Sequence, residues 1–272
     1  MPSSPIHIDS LDDPRVRHYR KLKDKVLDRE GQLFIAEGEN VVRRLLASDY
    51  QTLSVFVAEP RVAGIADVVP AQVPLYAASP ALMEQVIGFD FHTGVIACGR
   101  RKPAMSLDQV IAKDKPNLLL VVCGEIANAE NLGSLVRLSA GFGADAMVLG
   151  ERCHDPFWRQ SVRVSMGTIF KMPIVRSQNL VADIGRLQRE WGVEVAATVL
   201  DPAAERIAEA RRPRKFAIAF GNEAHGLTGE EIAACDRKVT IPMDLGTDSL
   251  NVSIAAGIFL YHFTQVVGLG KA

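Results

Sequence analysis

The side chains best suited to chemistry lie at the ends of apolar segments of this sequence. Gly221-Asn222-Glu223 follows the apolar run 216–220, and Ser249-Leu250-Asn251 stands before the apolar run 254–261. Because open α/β sheets bind ligands at the ends of their strands, both clusters are candidate binding residues. Their carboxylate, hydroxyl and amide groups can hold a polar substrate by hydrogen bonds.

Arg137 adds a cation to this set. It falls one to two turns into a predicted helix 133–142, where a guanidinium suits bidentate phosphate binding. A hydrolase that uses Ser249 and His225 is a competing class, but the sequence has no G-x-S-x-G elbow around Ser249. Ser249 can equally cap the last helix, and Glu223 can be a charge that precedes a helix N-terminus.

Three segments together carry a family resemblance. They are 128–137 with the pattern N-x-G-x-x-x-R, 221–227 with the sequence GNEAHGL, and 239–253 with Ile241-Pro242-Met243 and Ser249-Leu250-Asn251. In this order they resemble the SpoU/TrmH-type RNA 2′-O-methyltransferases of the knotted SPOUT superfamily, over about 118–264. The first segment opens Asn128-Ala129-Glu130, where the family often has an aspartate and a proline.

The resemblance implies an enzyme that moves a methyl group from S-adenosylmethionine to a ribose 2′-hydroxyl of ribosomal or transfer RNA. It implies that the catalytic and substrate-binding residues are Arg137, Asn131, Glu223, Ser249 and Asn251. It also implies that the donor pocket is formed by Thr198, Gly221, Ile241, Met243 and Leu250. A non-catalytic RNA-binding or antibiotic-binding module on the same fold is the alternative, and plain core packing is the alternative for the three apolar pocket residues.

Two of these residues have roles that the residue type itself constrains. In the family the arginine that matches Arg137 is also proposed as the base for the 2′-hydroxyl, but a guanidinium pKa above about 12 favours the phosphate clamp. By resemblance, Glu223 orients either Arg137 or the acceptor ribose. Gly221 allows close approach of its backbone to a ligand, so a valine there is expected to occupy the space of the adenosyl group.

Strands that alternate with helices predict an α/β protein. The predicted strands are 33–36, 53–58, 74–77, 93–98, 118–123, 146–149, 193–199, 216–220 and 239–241, and the predicted helices include 41–46, 80–87, 133–142, 155–164, 179–191 and 228–235. The charged, proline-ended stretch 99–103 is the predicted linker. It separates residues 1–104, a small α/β domain for RNA, from residues 105–272, the methyltransferase domain.

By resemblance, the first domain is an L30e-like substrate-binding domain, and the second contains a deep trefoil knot and forms a homodimer. The last helix supports a dimer, since Val252, Ile254, Ala255, Ile258, Phe259 and Phe263 give it more apolar surface than one side can cover.

The first predicted helix has a strongly basic face. Asp13 and Pro14 predict its start, and Gly31 its end. Its basic side chains are Arg15, Arg17, Arg20, Lys21, Lys23, Lys25 and Arg29, against Asp24 and Asp28. Arg17, Arg20 and Lys21 are therefore candidate phosphate contacts, although a solvated face explains the same pattern.

Composition sets the remaining bounds. The net charge is −1 over 272 residues, so RNA binding requires a local basic patch. Four cysteines stand far apart without a C-x-x-C pair, which favours reduced thiols and argues against a disulfide or a zinc site. No apolar run approaches the roughly 20 residues of a membrane helix, and no signal-peptide pattern is present. We therefore expect a cytoplasmic protein without a metal or membrane partner.

Overall fold

The computed structural model describes residues 4–20, 22, 32–112, 115–244 and 249–268. The chain divides into two compact units. The first unit combines Met1–Pro103 with Phe157–Lys171, and the second combines Ala104–Pro156 with Met172–Ala272. The segment Phe157–Lys171 therefore packs with the first unit, although its sequence lies inside the predicted methyltransferase domain.

The described residues contain twelve strands and nine α-helices. The strands are β1 (Ile6–His7), β2 (Leu33–Glu37), β3 (Thr52–Ala58), β4 (Leu75–Ala78), β5 (Val95–Arg100), β6 (Leu118–Cys123), β7 (Ala146–Leu149), β8 (Ile174–Arg176), β9 (Glu194–Thr198), β10 (Glu205–Arg206), β11 (Lys215–Phe220) and β12 (Arg237–Thr240). The helices are α1 (Glu39–Leu46), α2 (Val62–Ile65), α3 (Pro80–Ile87), α4 (Leu107–Val110), α5 (Ala129–Gly141), α6 (Arg159–Val164), α7 (Leu180–Trp191), α8 (Gly229–Ala234) and α9 (Val252–Tyr261).

The first unit is built on a five-stranded mixed sheet with the order β1-β4-β3-β5-β2. Successive side chains of a strand point to opposite faces. Ile35 of β2 packs in a core cluster with Tyr19 and with Met83 of α3, whereas its neighbour Phe34 contacts Phe157 beside α6. The sheet is therefore covered on both faces.

Phe157–Lys171 is attached to the first unit by polar and aromatic contacts. Arg159 forms an ion pair with Glu37, whose side chain is only 5% exposed. Arg44 donates a hydrogen bond to the carbonyl of Met166, which has a positive φ of 53°. A charge as buried as Glu37 requires a partner, so Arg159 is part of what fixes this segment to β2.

The N-terminal helix is shorter than predicted. Asp13 caps it and Pro14 begins it as predicted, but the element is a 3₁₀ helix, Pro14–Tyr19. Arg20 is extended, with φ −74° and ψ 133°, and the Leu22 N–H donates to the Ile87 carbonyl at 3.0 Å. The helix therefore ends at Tyr19. Lys21 and 23–31 lie outside the described residues.

Two further bounds differ from the prediction. Residues 99 and 100 belong to β5 and pair with β2, so the predicted linker begins two residues too early. No strand is predicted before residue 33, but β1 pairs in parallel with β4. Both differences come from backbone pairing between strands, which local composition does not reveal.

The second unit is built on a seven-stranded sheet with the order β10-β12-β9-β11-β6-β7-β8. Every pairing in it is parallel, as is typical of strands that alternate with helices along the chain. β6 is wholly buried and lies inside the sheet between β11 and β7, as its continuous apolar sequence predicts. From β6 the chain passes first to β7 on one side and only later to β11 on the other. Ligand sites form at such a change of direction, beyond the carboxyl ends of the strands.

Among the described residues, no helix has the length and apolar character needed to cross a bilayer.

Candidate functional site

A cavity of about 280 Å³ lies at the carboxyl ends of β9, β11 and β12 and at the start of α9. All five predicted donor-pocket residues line it: Thr198, Gly221, Ile241, Met243 and Leu250. Glu223 and Ser249 line it as well. The cavity thus brings together Thr198 and Leu250, which are 52 positions apart in the sequence.

The loop after β11 is held closed by its own backbone. Asn222 and Gly226 exchange two hydrogen bonds, of 2.9 and 3.0 Å, and Gly226 has a positive φ of 71°. A Cβ atom on Gly221 would lie 2.0 Å from the backbone of Gly226 and Leu227. Glycine at 221 is therefore required first by the loop itself, and any benefit to a ligand is additional.

Glu223, Asn131 and Asn251 form a continuous chain of hydrogen bonds beside this cavity. Asn131 Nδ2 donates to Glu223 Oε1 at 2.9 Å, and Asn251 Nδ2 donates to Asn131 Oδ1 at 3.0 Å. These residues come from the loop after β11, the first turn of α5 and the N-cap of α9. The structure therefore joins three of the five predicted catalytic residues.

The orientation of each amide in this chain is fixed by its partner. A carboxylate only accepts hydrogen bonds, so Asn131 turns its Nδ2 to Glu223 and its Oδ1 to Asn251. Asn251 then uses its Oδ1 to accept from the Ser253 N–H at 2.8 Å. Each amide keeps one N–H that no described residue accepts. The chain therefore offers donors to a ligand, and it offers no proton acceptor of high basicity.

The pKa of Glu223 is lower than its ordinary value of 4.5. Desolvation raises it, but the hydrogen bonds from Asn131 and from backbone N–H groups outweigh that effect. The Asn128 N–H donates to Oε1 at 3.1 Å, and the Ala127 N–H donates to Oε2 at 3.3 Å. Both N–H groups stand at the N-terminus of α5, where a negative charge is favoured. Glu223 is therefore ionised at neutral pH and acts as an anchor between two loops.

Arg137 lies apart from this chain. It is exposed on α5 and makes no hydrogen bond or ion pair with any described residue. At 100° per residue, Arg137 projects about 120° around the helix from Asn131. The structure pairs Glu223 with Asn131 and shows no contact between Glu223 and Arg137, so the orientation of Arg137 by Glu223 stays a prediction.

Ser249 is exposed at the cavity, but it does not cap the last helix. That position belongs to Asn251. Sequence reasoning missed Asn128, whose Oδ1 accepts from the N–H groups of Glu130 and Asn131 at 2.8 and 3.1 Å. Asn128 is an N-cap, so α5 begins at Ala129 and not near residue 133. An asparagine before an apolar periodic segment is the signal that could have located it.

The predicted RNA contacts lie in the first unit. Arg17 is exposed. Arg20 is partly committed to the fold, because its Nη2 donates to the Asp13 carbonyl at 2.9 Å. Lys21 lies outside the described residues. Arg17 is thus the more available of the two described arginines.

Known proteins match both the sequence and the fold. The model of the SpoU rRNA Methylase family matches residues 118–261. An uncharacterised tRNA/rRNA methyltransferase of Mycobacterium bovis is 37% identical in sequence. The alignment covers 93% of this chain and 90% of the relative. The 23S rRNA (guanosine(2553)-2′-O)-methyltransferase of Bacillus subtilis is 27% identical, over 94% of this chain and 98% of the relative.

Among solved structures, the AdoMet-bound rRNA methyltransferase from Sinorhizobium meliloti has a TM-score of 0.80 at 27% sequence identity. The alignment covers 94% of this chain and 96% of that chain. The chain belongs to the SpoU rRNA methylase family, which confirms the predicted family and enzyme class, the RNA methyltransferases.

Proposed function

We propose that this methyltransferase moves the methyl group of S-adenosylmethionine to a ribose 2′-hydroxyl of ribosomal or transfer RNA. The observation that carries the proposal is the hydrogen-bonded chain Glu223–Asn131–Asn251 beside the cavity. Two oriented amides are suited to the oxygens of a sugar, since they donate hydrogen bonds without titrating.

The cavity has the chemistry that S-adenosylmethionine requires. None of its described lining residues is Lys or Arg, which suits a donor that has no phosphate and carries a positive sulfonium. Ile241, Met243 and Leu250 supply apolar surface, and the ends of β9, β11 and β12 supply backbone groups that can recognise a base. The bound donor would supply an activated methyl group, and no metal is needed for its transfer.

The residues of this chain then serve mainly to position the acceptor. Asn131 and Asn251 would hold the ribose oxygens with their remaining N–H groups, and Ser249 would add a hydroxyl at the cavity. Glu223 would keep Asn131 in its orientation. Arg137 would bind a phosphate of the substrate in a bidentate manner. Holding two reactants in line is the contribution that such a displacement requires most.

The cysteines support a sugar as the acceptor. Chemistry on a base through a covalent adduct needs a thiolate, but burial raises the pKa of Cys153 to about 11 and that of Cys235 to about 12. Burial also raises the pKa of Cys123 well above its ordinary value. These three thiols of the second unit are therefore protonated at neutral pH and are poor nucleophiles.

The first unit would supply affinity for RNA. It contains 16 Lys and Arg against 13 Asp and Glu, whereas the second unit contains 15 against 19. Arg17, Arg20 and Lys21 are proposed phosphate contacts. Replacing all three with alanine should reduce the salt dependence of RNA binding by up to about 0.9 per lost contact. The relatives named for ribosomal RNA favour such a substrate, which is found in the cytoplasm.

We also propose the finer architecture of the family for this chain. The first unit would be an L30e-like domain, and the second would contain a deep trefoil knot, an exception to the general rule that chains are not knotted. The mixed sheet of the first unit is compatible with the first proposal, and the parallel sheet of the second unit is compatible with the second.

The second unit would form a homodimer through α9. Ile254, Ile258 and Tyr261 are spaced along one face of α9 and are 57%, 39% and 55% exposed. Val252, Phe259 and Phe263 of the originally proposed set are buried within the chain, so they are unavailable to a partner. Ile258→Glu should turn a dimer into a monomer in light scattering, and a wild-type monomer at micromolar concentration would contradict the proposal.

The non-catalytic alternative is separated from the enzyme by donor binding. Titration calorimetry of the full chain with S-adenosylmethionine should show saturable heat without added metal. If no heat appears at high micromolar donor while RNA still binds, the chain is an RNA-binding module on the same fold.

A further inference from the structure

One surface of the first unit combines partly exposed aromatic rings with cations. We call it the aromatic–basic patch and define it by Tyr50, Phe157, Arg100, Arg101 and Lys102. Lys102 Nζ lies 4.6 Å from the centroid of the Tyr50 ring, and Arg101 Cζ lies 5.4 Å from that of Phe157. Arg100 and Lys102 are exposed. The methyltransferase site uses none of these residues.

The rings of the patch are held in place from below. Tyr50 contacts Phe34 and Phe170 with ring centroids 5.8 and 5.7 Å apart, and it contacts Phe157 at 5.7 Å. Phe34 is completely buried and Phe170 is 5% exposed, whereas Tyr50 and Phe157 remain partly exposed. A ligand that stacks on Tyr50 would therefore meet a ring whose position is already fixed, so little side-chain entropy is lost.

The charges around the patch favour a polyanion. Residues 100–102 are three consecutive cations, and Arg100 and Lys102 are exposed. The described acidic residue that engages the patch is Asp49, whose Oδ2 lies 2.5 Å from Lys102 Nζ. The hydrogen bond from Lys102 lowers the pKa of Asp49, which keeps it ionised. Asp49 thus competes with any anion for Lys102.

The patch is separate from the predicted RNA contacts of the N-terminal 3₁₀ helix. That helix packs by Tyr19 on the sheet face that includes Ile35. The patch is built on Phe34, whose side chain points to the opposite face of the same strand. Binding at the patch is therefore a second contact and does not extend the first.

We propose that the aromatic–basic patch binds a single-stranded segment of the RNA substrate, with a base stacked on Tyr50 and neighbouring phosphates on Arg100 and Lys102. This inference rests on the proposed function. Unstacked bases offer a flat face to an aromatic ring, whereas bases in a duplex do not. Lys102 would leave Asp49 and the ring face of Tyr50 to reach a phosphate.

The test measures binding of the full chain to a mixed-sequence single-stranded RNA oligonucleotide by fluorescence anisotropy over a range of salt. Arg100→Gln combined with Lys102→Gln should reduce the slope of log affinity against log salt by up to about 1.4, at about 0.7 per phosphate on a single strand. Tyr50→Leu should weaken binding about tenfold at every salt concentration without a change of slope. A duplex RNA of the same composition should be less sensitive to Tyr50→Leu.

Asp49→Asn is the most discriminating variant, because it should strengthen RNA binding. It frees Lys102 and removes a negative charge from the patch, so affinity should rise several-fold at low salt. Arg61→Gln is the matched control. Arg61 is an exposed arginine that follows β3, whereas Tyr50 precedes that strand, so the two lie at opposite ends of it.

The outcomes distinguish a failure of the proposed RNA binding at the patch from a failure of the proposed function. If the wild-type protein binds no RNA, both the proposed function and the patch are wrong. If it binds RNA and the Arg100/Lys102 and Asp49 variants behave like Arg61→Gln, the patch alone is overturned. Arg100, Lys102 and Asp49 are exposed, so the Arg100/Lys102 and Asp49 variants test the patch even if Tyr50→Leu lowers the thermal midpoint.

Discussion

Glu223 Oε1 accepts a hydrogen bond of 2.9 Å from Asn131 Nδ2, across 92 residues of sequence. Because the same carboxylate binds two backbone N–H groups before α5, it fixes the position of α5 and the amide of Asn131 together. The proposed grip on the ribose therefore depends on Glu223 even where Glu223 does not touch the sugar.

Glu223→Gln should preserve the shape of the loop but release the orientation of Asn131. A glutamine can present either its oxygen or its NH₂ group to Asn131, so the acceptor-only partner is lost. Turnover should fall by roughly 10²-fold because the acceptor is misplaced, while affinity for S-adenosylmethionine stays within a few-fold. Stopped-time methylation assays and calorimetry measure the two quantities. Unchanged turnover in a folded variant would contradict the role of Glu223.

The lowered pKa of Glu223 predicts a pH dependence of stability. A carboxyl group whose pKa is lower in the folded than in the unfolded state stabilises the folded protein at pH values above the unfolded-state pKa, which is near 4.5. This contribution is lost as the pH falls through the folded-state pKa. The thermal midpoint of the wild-type protein should therefore exceed that of Glu223→Gln at neutral pH, and the two should converge in acid below pH 4.5. A difference that persists unchanged in acid would show that the charge of Glu223 is unimportant.

Arg137→Ala should impair catalysis without affecting the fold. Arg137 is exposed and has no polar partner among the described residues, so its loss should change stability by less than about 0.5 kcal/mol. Turnover should fall by roughly 10²-fold through lost positioning. Arg189→Ala, at an exposed arginine of α7, is the control and should be neutral.

Arg137→Lys distinguishes a phosphate-binding role of Arg137 from a role as the general base. A lysine keeps the charge but loses the bidentate fork, so activity should recover only in part and the pH–rate profile should stay in place. If Arg137 were the general base, the lower pKa of lysine would shift the pH–rate profile to lower pH. Such a shift would contradict the proposal that Arg137 only binds a phosphate.

Occupation of the cavity is best tested at Ala255. Gly221→Val cannot report on the adenosyl space, because its Cβ atom would first collide with Gly226 and Leu227. Ala255 lies on α9 and lines the cavity, so Ala255→Leu would fill space that the donor needs. Donor affinity should fall at least about tenfold in calorimetry while circular dichroism stays native. Undiminished affinity would place the donor elsewhere.

Local signals in the sequence were sufficient for much of the fold. The bounds of β6, β7 and α3 follow from continuous apolar runs and from Ser79-Pro80 at a helix start, and the capping box of Thr228 and Glu231 marks the start of α8. These elements depend on residues within a few positions of one another. The start of the N-terminal 3₁₀ helix was predicted, but its end at Tyr19 was not, since beyond it the Leu22 N–H donates to the distant Ile87 carbonyl.

The residues of the site could be named from the sequence, but the hydrogen bonds between them could not. The three motifs identified Asn131, Glu223 and Asn251 as site residues, and Glu223 was expected to orient either Arg137 or the acceptor ribose. The hydrogen bond from Asn131 to Glu223 was not predicted. Similarly, the association of Phe157–Lys171 with β2 depends on the Arg159–Glu37 ion pair, which joins residues 122 positions apart. Long-range pairs of this kind are set by how the sheet and its loops pack.

The position of the methyl group on the product tests the central claim most directly. Purified protein is incubated with unmodified ribosomal RNA and isotope-labelled S-adenosylmethionine, and the RNA is then digested with nuclease and analysed by mass spectrometry. The site predicts label on a ribose 2′-oxygen, with the base unmodified and the adjacent phosphodiester resistant to cleavage. Label on a base, with the ribose unmodified, would contradict the account.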